Sequence, residues 1–230
     1  MEDDLILKVQ DLTVELDHQL IIEQLSFTLK KGDTVSILGP NGAGKTVLLK
    51  CLLGLLPYKG EITWKKGIKI SYVPQRLPFI KDTPLSVRDF FALKQDSSQE
   101  MQNIMHAVGF NEEFFARKVD KLSSGQFQRM LVAWSLMDKP QVLLFDEPTT
   151  GIDIGGEETI YNLLASLKEK WNLTMLLVTH DLNVVYQYSN HVICLNKQTV
   201  CAGPPREVLT PESLYKLYGG GMKYYQHKHR

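Results

Sequence analysis

An α/β fold with a largely parallel sheet and an inserted helical stretch is predicted by three observations. Short apolar runs at residues 34–38, 142–145 and 174–178 suit buried strands. Helical stretches at 47–56 and 157–170 alternate with them, and alternation of strand and helix is the pattern of a parallel sheet. After Gln75 the chain changes character, with Pro74, Pro78 and Pro84 punctuating an irregular stretch before several helical segments. Residues 77–138 are therefore assigned to a helical insertion.

The first third reads as strands and turns. Residues 6–9 and 12–16 partly alternate, and 20–29 carries β-branched and aromatic side chains. Lys30, Lys31, Gly32 and Asp33 form a turn before the strand at 34–38. A glycine-rich loop then leads into 47–56, where Leu48, Leu49, Leu52, Leu53 and Leu56 make a helical stripe. Helices are expected at 86–94, 99–108 and 125–137. From Gln141 the order is strand 142–145, helix 157–170 and strand 174–178, with a further strand over 191–195. No internal repeat is present, and the sole biased segment is the tail, 223–230.

Composition narrows the function. A chain of 230 residues has room for one large domain with a subdomain inserted, and for a sizeable core. Twenty-six basic residues balance 26 acidic ones, which argues against a nucleic-acid binder working by bulk electrostatics. Cys51, Cys194 and Cys201 are odd in number and too far apart for a zinc spacing, so reduced thiols in a cytosolic protein are expected. No apolar run approaches the roughly 18 residues that span a bilayer. The N-terminal Glu2, Asp3 and Asp4 are acidic where a signal peptide is basic. A secreted disulfide scaffold, a membrane-spanning chain and a disordered tail protein are ruled out.

The chemistry starts at residue 39. Gly39, Pro40, Asn41, Gly42, Ala43, Gly44, Lys45 and Thr46 match G-x-x-x-x-G-K-[ST], after a predicted strand and before a predicted helix. Glycines let backbone N–H groups turn inward around phosphate oxygens, and the helix N-terminus adds about half a positive charge. Lys45 is expected to reach the β- and γ-phosphates, and the Thr46 hydroxyl to ligate Mg²⁺. By chance, the four fixed positions would coincide in on the order of one chain in a hundred of this length.

Residues 142–147 supply the second half. A buried strand ending in two carboxylates places Asp146 to hold Mg²⁺ through water and Glu147 to orient or deprotonate a water attacking the γ-phosphate. Alone this is only a charged turn after a strand. Behind a phosphate loop it points to hydrolysis. A guanine-specific switch protein needs Asn-Lys-x-Asp, and Asn196, Lys197, Gln198 and Thr199 fail at the last position. A small-metabolite kinase stays open on the phosphate loop alone.

With the loop at 39–46, residues 122–126 (Leu122, Ser123, Ser124, Gly125, Gln126), Gln75, Asp153 and His180 resemble the ATP-binding cassette family of transport ATPases. The resemblance covers roughly 5–218. It implies a P-loop NTPase-type mainly parallel sheet core (5–76 and 139–218), an N-terminal antiparallel β subdomain and an inserted helical subdomain (77–138), with 219–230 as a His-containing tail. In that family two cassettes pair head to tail, with ATP sandwiched between the phosphate loop of one and the signature segment of the other.

What the resemblance implies is then carried residue by residue. Ser123, Gly125 and Gln126 belong to the signature segment facing the partner's nucleotide, although Ser123 also reads as a plain helix cap. Gln75 falls where the family's glutamine touches Mg²⁺ and the attacking water, His180 where a switch histidine contacts the γ-phosphate, and Asp153 in the loop linking the two sites. Catalytic roles therefore fall to Glu147, His180, Gln75 and Lys45, and Mg²⁺ ligation to Thr46, Gln75 and Asp146. Two positions depart from the family pattern. Leu16 stands where an aromatic residue usually stacks on adenine, with His18 as an alternative, and Ser124 replaces the commoner glycine.

Residues 72–76, 180–183 and 191–196, with Gly203, Pro204 and Pro205 and the ending at 224–229, resemble the zinc and manganese uptake cassettes of bacteria. The resemblance implies an ATP hydrolase coupled to metal-ion transport, zinc placed ahead of manganese, with ATP and Mg²⁺ as cofactors. It also implies a second ATPase subunit in a homodimer, integral membrane permease subunits and an extracytoplasmic metal-binding protein, at the cytoplasmic face of the membrane and without nucleic acid. His227 and His229 are either metal ligands shared with a partner or part of a solvated terminus. A soluble cassette ATPase without a permease shares every ATP motif and stays open.

Overall fold

The computed structural model describes residues 4–75, 85–94, 98–147 and 154–219. Along the chain, β1 (Leu5–Leu16) and β2 (Gln19–Lys30) form a hairpin. Its two-residue turn, Asp17 and His18, lies in the left-handed region at φ 48° and 61°, the geometry tight hairpins need. The expected strands at 6–9 and 12–16 are one strand. Its break in alternation is Asp11, whose left-handed backbone (φ 48°) turns its N–H to the Ser26 hydroxyl at 2.8 Å.

Strand β3 (Thr34–Leu38) is buried throughout and runs into the glycine loop. Helix α1 (Lys45–Leu52) ends four residues earlier than its leucine stripe suggests. Gly54, at φ 70°, stops it, with the Leu55 N–H reaching back to the Lys50 carbonyl at 2.8 Å. Leu55 is consequently 64% exposed. Strands β4 (Lys59–Trp64) and β5 (Ile70–Val73) escaped the sequence reading, one because none of its residues is fully buried and the other because it has four residues.

Helices α2 (Val87–Ala92), α3 (Ser98–Ala107) and α4 (Ser124–Leu136) follow, with short 3₁₀ turns at Glu112–Ala116 and Val119–Lys121. Ser86 and Asp89 form a capping box that starts α2. Then come β6 (Val142–Asp146), α5 (Ile154–Trp171), β7 (Thr174–Thr179), α6 (Leu182–Tyr188), β8 (His191–Asn196), β9 (Gln198–Gly203), α7 (Pro205–Val208) and α8 (Pro211–Tyr218).

Contacts divide the chain into two units, the first holding 1–7, 28–34 and 64–178, the second 8–27, 35–63 and 179–230. In the first, β5, β6 and β7 are parallel neighbours, with Val73 opposite Phe145 and Phe145 opposite Leu177. Its helices α2 and α4 are joined through Phe90 and Trp134, whose ring centroids lie 4.3 Å apart. Lys94 sits over the Trp134 ring, donates to the Trp134 carbonyl at 2.8 Å and pairs with Asp138.

In the second unit, β3 runs parallel to β8, with Leu38 opposite Cys194, and β9 returns antiparallel. The small sheet has the order β2-β1-β4, and its hairpin is antiparallel, Asp11 and Thr13 meeting Ser26 and Gln24. Leu38, Val185, Val192, Cys194, Leu209, Leu214 and Leu217 share one core cluster. Mainly parallel core strands, an N-terminal antiparallel sheet and a helical segment between β5 and β6 make this the P-loop NTPase-type fold the sequence implies. One expectation fails. Cys194 and Cys201, taken as reduced thiols, are joined as a disulfide, because the β8–β9 register sets them opposite each other with Cα atoms 4.8 Å apart. Cys51 stays a free, buried thiol, and burial raises its pKa.

Candidate active site

The phosphate loop is built from two constraints that only glycine meets. A Cβ on Gly39 would stand 2.1 Å from the Leu195 carbonyl oxygen, so the first loop residue has no room for a side chain. Gly44, the N-cap of α1, has φ 96°, and a Cβ there would lie 3.0 Å from the Ile22 side chain. The loop thus passes close to both β8 and β2. Lys45 is 6% exposed, and its ammonium donates to the carbonyls of Gly39 at 2.9 Å and Pro40 at 3.0 Å. Those bonds curl the loop around its own lysine and hold the cation inside the curve, beside the half-buried Thr46.

Pro40, Asn41, Gly42 and Ala43 complete the turn, closed by a bond from the Ala43 N–H to the Pro40 carbonyl at 3.2 Å. Also in this unit, His180 follows β7 and is exposed, and Asp181 beside it caps α6 by accepting from the Asn183 N–H at 2.7 Å. Leu16 is half-buried at the end of β1 and His18 is exposed on the hairpin turn, so no aromatic ring occupies the Leu16 position.

The carboxylates belong to the first unit. Asp146 ends β6 at 1% exposure and accepts a hydrogen bond from the Tyr72 hydroxyl at 3.1 Å. Burial, and then the Asp146 charge and its hydrogen bond, push the Tyr72 pKa well above the ordinary phenol value. Tyr72 is thus a neutral donor across the working pH range, and sequence reasoning gave it no role. Parallel pairing was the signal: Tyr72 lies opposite Leu144, so its hydroxyl reaches the strand end two residues on.

Glu147 comes next, with φ 43° and its N–H bonded to the Val178 carbonyl at 3.1 Å. A left-handed backbone in a glutamate is uncommon, and it re-aims the side chain at the strand end. The Gln75 carboxamide donates to Glu147 Oε2 at 2.9 Å. Gln75 and Glu147 each follow a paired strand, β5 and β6, which is why residues 72 apart meet.

At the signature segment, Ser123 caps α4. Its hydroxyl accepts from the Gln126 N–H at 3.2 Å, and the Gln126 side chain accepts from the Ser123 N–H at 3.1 Å. Gly125 lies in the first turn, and Ser124 is an ordinary helical residue outside the left-handed region, so its Cβ costs nothing. The hydroxyl of Thr46, the carboxylate of Asp146 and the carboxamide of Gln75 are hard oxygen donors, the chemistry Mg²⁺ takes. Among the described residues no group of three or more His, Cys, Asp or Glu gathers as a metal site. Asp153, His227 and His229 lie outside the described residues.

A glycine loop closed on a buried lysine in one unit and, in the other, a strand ending in two carboxylates, one held by Tyr72 and the next by Gln75, are the parts of a P-loop nucleotide-binding ATPase. The profile of the ABC transporter family matches residues 22–150. The chain belongs to that family. It is 36% identical over 97% of its length, and 86% of the relative's, to the zinc import ATP-binding protein ZnuC of Acinetobacter baylyi. It is 34% identical over 97% of both chains to the protein of the same name from Rickettsia conorii. Among solved structures it superposes on a metal-chelate type ABC transporter in an inward-facing conformation, with a TM-score of 0.84 at 28% identity, covering 93% of this chain and 89% of that one. CbiO1 from Clostridium perfringens, part of the ABC transporter complex cbiONQ, matches with a TM-score of 0.76 at 25% identity, covering 93% and 94%.

Proposed function

We propose that this chain is the ATP-hydrolysing subunit of a zinc importer, working as a homodimer beneath membrane permease subunits at the cytoplasmic face of the membrane. Likeness to zinc import ATP-binding proteins over nearly the whole chain supports the cargo. The bond between Gln75 and Glu147 carries the chemistry: it holds a carboxylate at the end of a buried strand, where a general base must be oriented before it takes a proton. Among the described residues no helix is long and apolar enough to cross a membrane; in this reading the permease subunits form the path for the ion.

In this reading Lys45 and the N–H groups of 39–46 would bind the β- and γ-phosphates, and Thr46, Asp146 and Gln75 would be the oxygen donors for Mg²⁺, which would supply neutralisation of phosphate charge. Glu147 accepts the proton of the attacking water, and His180 contacts the γ-phosphate. Ser123, Gly125 and Gln126 face the nucleotide of the second subunit, and Asp153 links the two sites. Residues 5–76 and 139–218 form the nucleotide-binding core, and 77–138 the helical subdomain that meets the permease. An extracytoplasmic metal-binding protein delivers the ion.

The test is ATP-dependent uptake of labelled zinc and labelled manganese into cells expressing the chain with its genomic neighbours. Zinc uptake lost in a Lys45→Ala strain supports the assignment. Loss of manganese uptake alone overturns the metal. No effect on either overturns the transport role and favours a cassette ATPase without a permease.

A further inference from the structure

We propose that the Cys194–Cys201 pair is a thiol–disulfide switch that sets the nucleotide affinity of the phosphate loop. The proposal rests on the nucleotide-binding reading of 39–46. Its first support is position. Cys194 is the register partner of Leu38, the last residue of β3, and Gly39 opens the phosphate loop immediately after it. The Leu195 carbonyl, one residue past Cys194, lies where a Cβ on Gly39 would have to go, at 2.1 Å. A shift of β8 at 194–195 is therefore passed to the root of the loop without slack.

The second support is what holds β8 there. The β8–β9 register shifts between Cys194 and Leu195: Cys194 pairs with Cys201, but Leu195 pairs with Thr199, leaving Val200 as the extra residue. A bulge interrupts the ladder of hydrogen bonds and lets the strand bend. The covalent bond sits beside the bulge and ties β8 to β9 where the ladder is weakest. It is not a staple for the whole fold, because it closes a loop of sequence separation 7 that the hairpin already brings together. A disulfide in a compartment kept reducing is more often a sensor than a brace.

Exposure makes the exchange directional. Cys194 is fully buried among Leu38, Val185, Leu214 and Leu217, whereas Cys201 is only half-buried on β9. A low-molecular-weight thiolate attacks the Cys201 sulfur, forming a mixed disulfide, and the bonding pair leaves with Cys194, which takes up a proton. A second thiolate attacks the small-molecule sulfur, releasing Cys201, which is protonated in turn. The balance is one protein disulfide and two thiols giving two protein thiols and one small-molecule disulfide, a two-electron reduction of the protein. Two thiols need non-bonded separation, so β9 moves away at the bulge, β8 relaxes at 194–195, and the loop root loses its backing.

The experiment uses the full chain, equilibrated either with oxidised glutathione or with dithiothreitol. Thiol titration after denaturation should give one thiol in the oxidised sample, Cys51, and all three in the reduced one. Trinitrophenyl-ATP should bind the reduced form about fivefold or more weakly, and amides of 35–46 should exchange faster there. Cys201→Ser should match the reduced form in both buffers, and Cys51→Ser should keep the full response. Three thiols in the oxidised sample overturn the proposal, as do affinities within about twofold together with equal exchange at 35–46. If neither form binds nucleotide, the nucleotide reading of the loop fails. Hydrogen exchange then still decides whether the disulfide controls the loop.

Discussion

Replacing Tyr72 by Phe tests whether the β6 carboxylate is held from β5. The substitution keeps the ring and deletes one hydroxyl, so packing is nearly conserved and the change falls on the 3.1 Å bond to Asp146. Asp146 is 1% exposed, so water cannot simply replace the lost donor. A hydrogen bond to a charged group contributes about 1.5–3 kcal/mol, and a loss near 2 kcal/mol is expected at neutral pH. For a chain of this size that is a fall of about 4–8 °C in Tm. The alkaline limb should change in the opposite sense. The Tyr72 pKa is raised in the folded state, so its hydroxyl releases its proton more readily from the unfolded chain. It contributes fully below the unfolded phenol value, about 10, and that contribution is lost as pH rises toward the folded value. Without Tyr72, stability should decline less steeply above pH 10. Urea denaturation from pH 7 to pH 11 reads both effects. A variant within about 0.5 kcal/mol of the parent at pH 7, with an unchanged alkaline slope, would show that the hydroxyl does not hold Asp146.

Other outcomes follow from the same geometry. Glu147→Gln should keep nucleotide affinity, lower hydrolysis about a hundredfold or more, and accumulate an ATP-dependent dimer on size exclusion; a monomer with ATP, or parental turnover, would remove Glu147 from its role. Leu16→Tyr should supply the missing ring and tighten ATP binding by about 1 kcal/mol or more, read by competition with trinitrophenyl-ATP; unchanged affinity would place the base elsewhere. The half-buried Tyr218 has a hydroxyl without a partner among the described residues, and burial and the Asp181 charge push its pKa up to about 12. Tyr218→Phe should be neutral or stabilise by up to about 1 kcal/mol, and should remove part of the stability loss between pH 10 and pH 12, both measured by thermal melts across that range.

Legibility tracked how local each signal was. The phosphate loop, β3 and β6 were readable because glycine spacing and unbroken apolar runs are properties of contiguous residues, and the observed bounds of β3 match the predicted 34–38. The α1 stripe ran past its true end because leucine spacing says nothing about Gly54 turning left-handed. α6, β9, α7 and α8 were not assigned at all; each is short, and β9 has no fully buried residue to mark a period. Tyr72 was invisible for another reason. Its partner is 74 residues away, and only the parallel register of β5 on β6 makes them neighbours. The disulfide likewise depends on a bulged register that linear spacing does not encode.

Ser123 shows how a helix cap and a nucleotide contact can be one residue. Its hydroxyl accepts from the Gln126 N–H, which starts α4 and is worth about 1 kcal/mol to the helix. A serine hydroxyl has one proton as well as its lone pairs, so accepting at the cap leaves a donor for a second bond. An anion approaching the α4 N-terminus would receive that proton together with the helix dipole, and the capping box would not have to open. Rigidity is then part of the chemistry: the cap fixes the side chain before any nucleotide arrives, so little ordering remains to be done on binding. Gln126 shares this duty by accepting from the Ser123 N–H at 3.1 Å, and so fixes the backbone on which the hydroxyl stands. The plain reading of Ser123 as a cap and its proposed role facing a partner's nucleotide are therefore the same arrangement, used from its two sides.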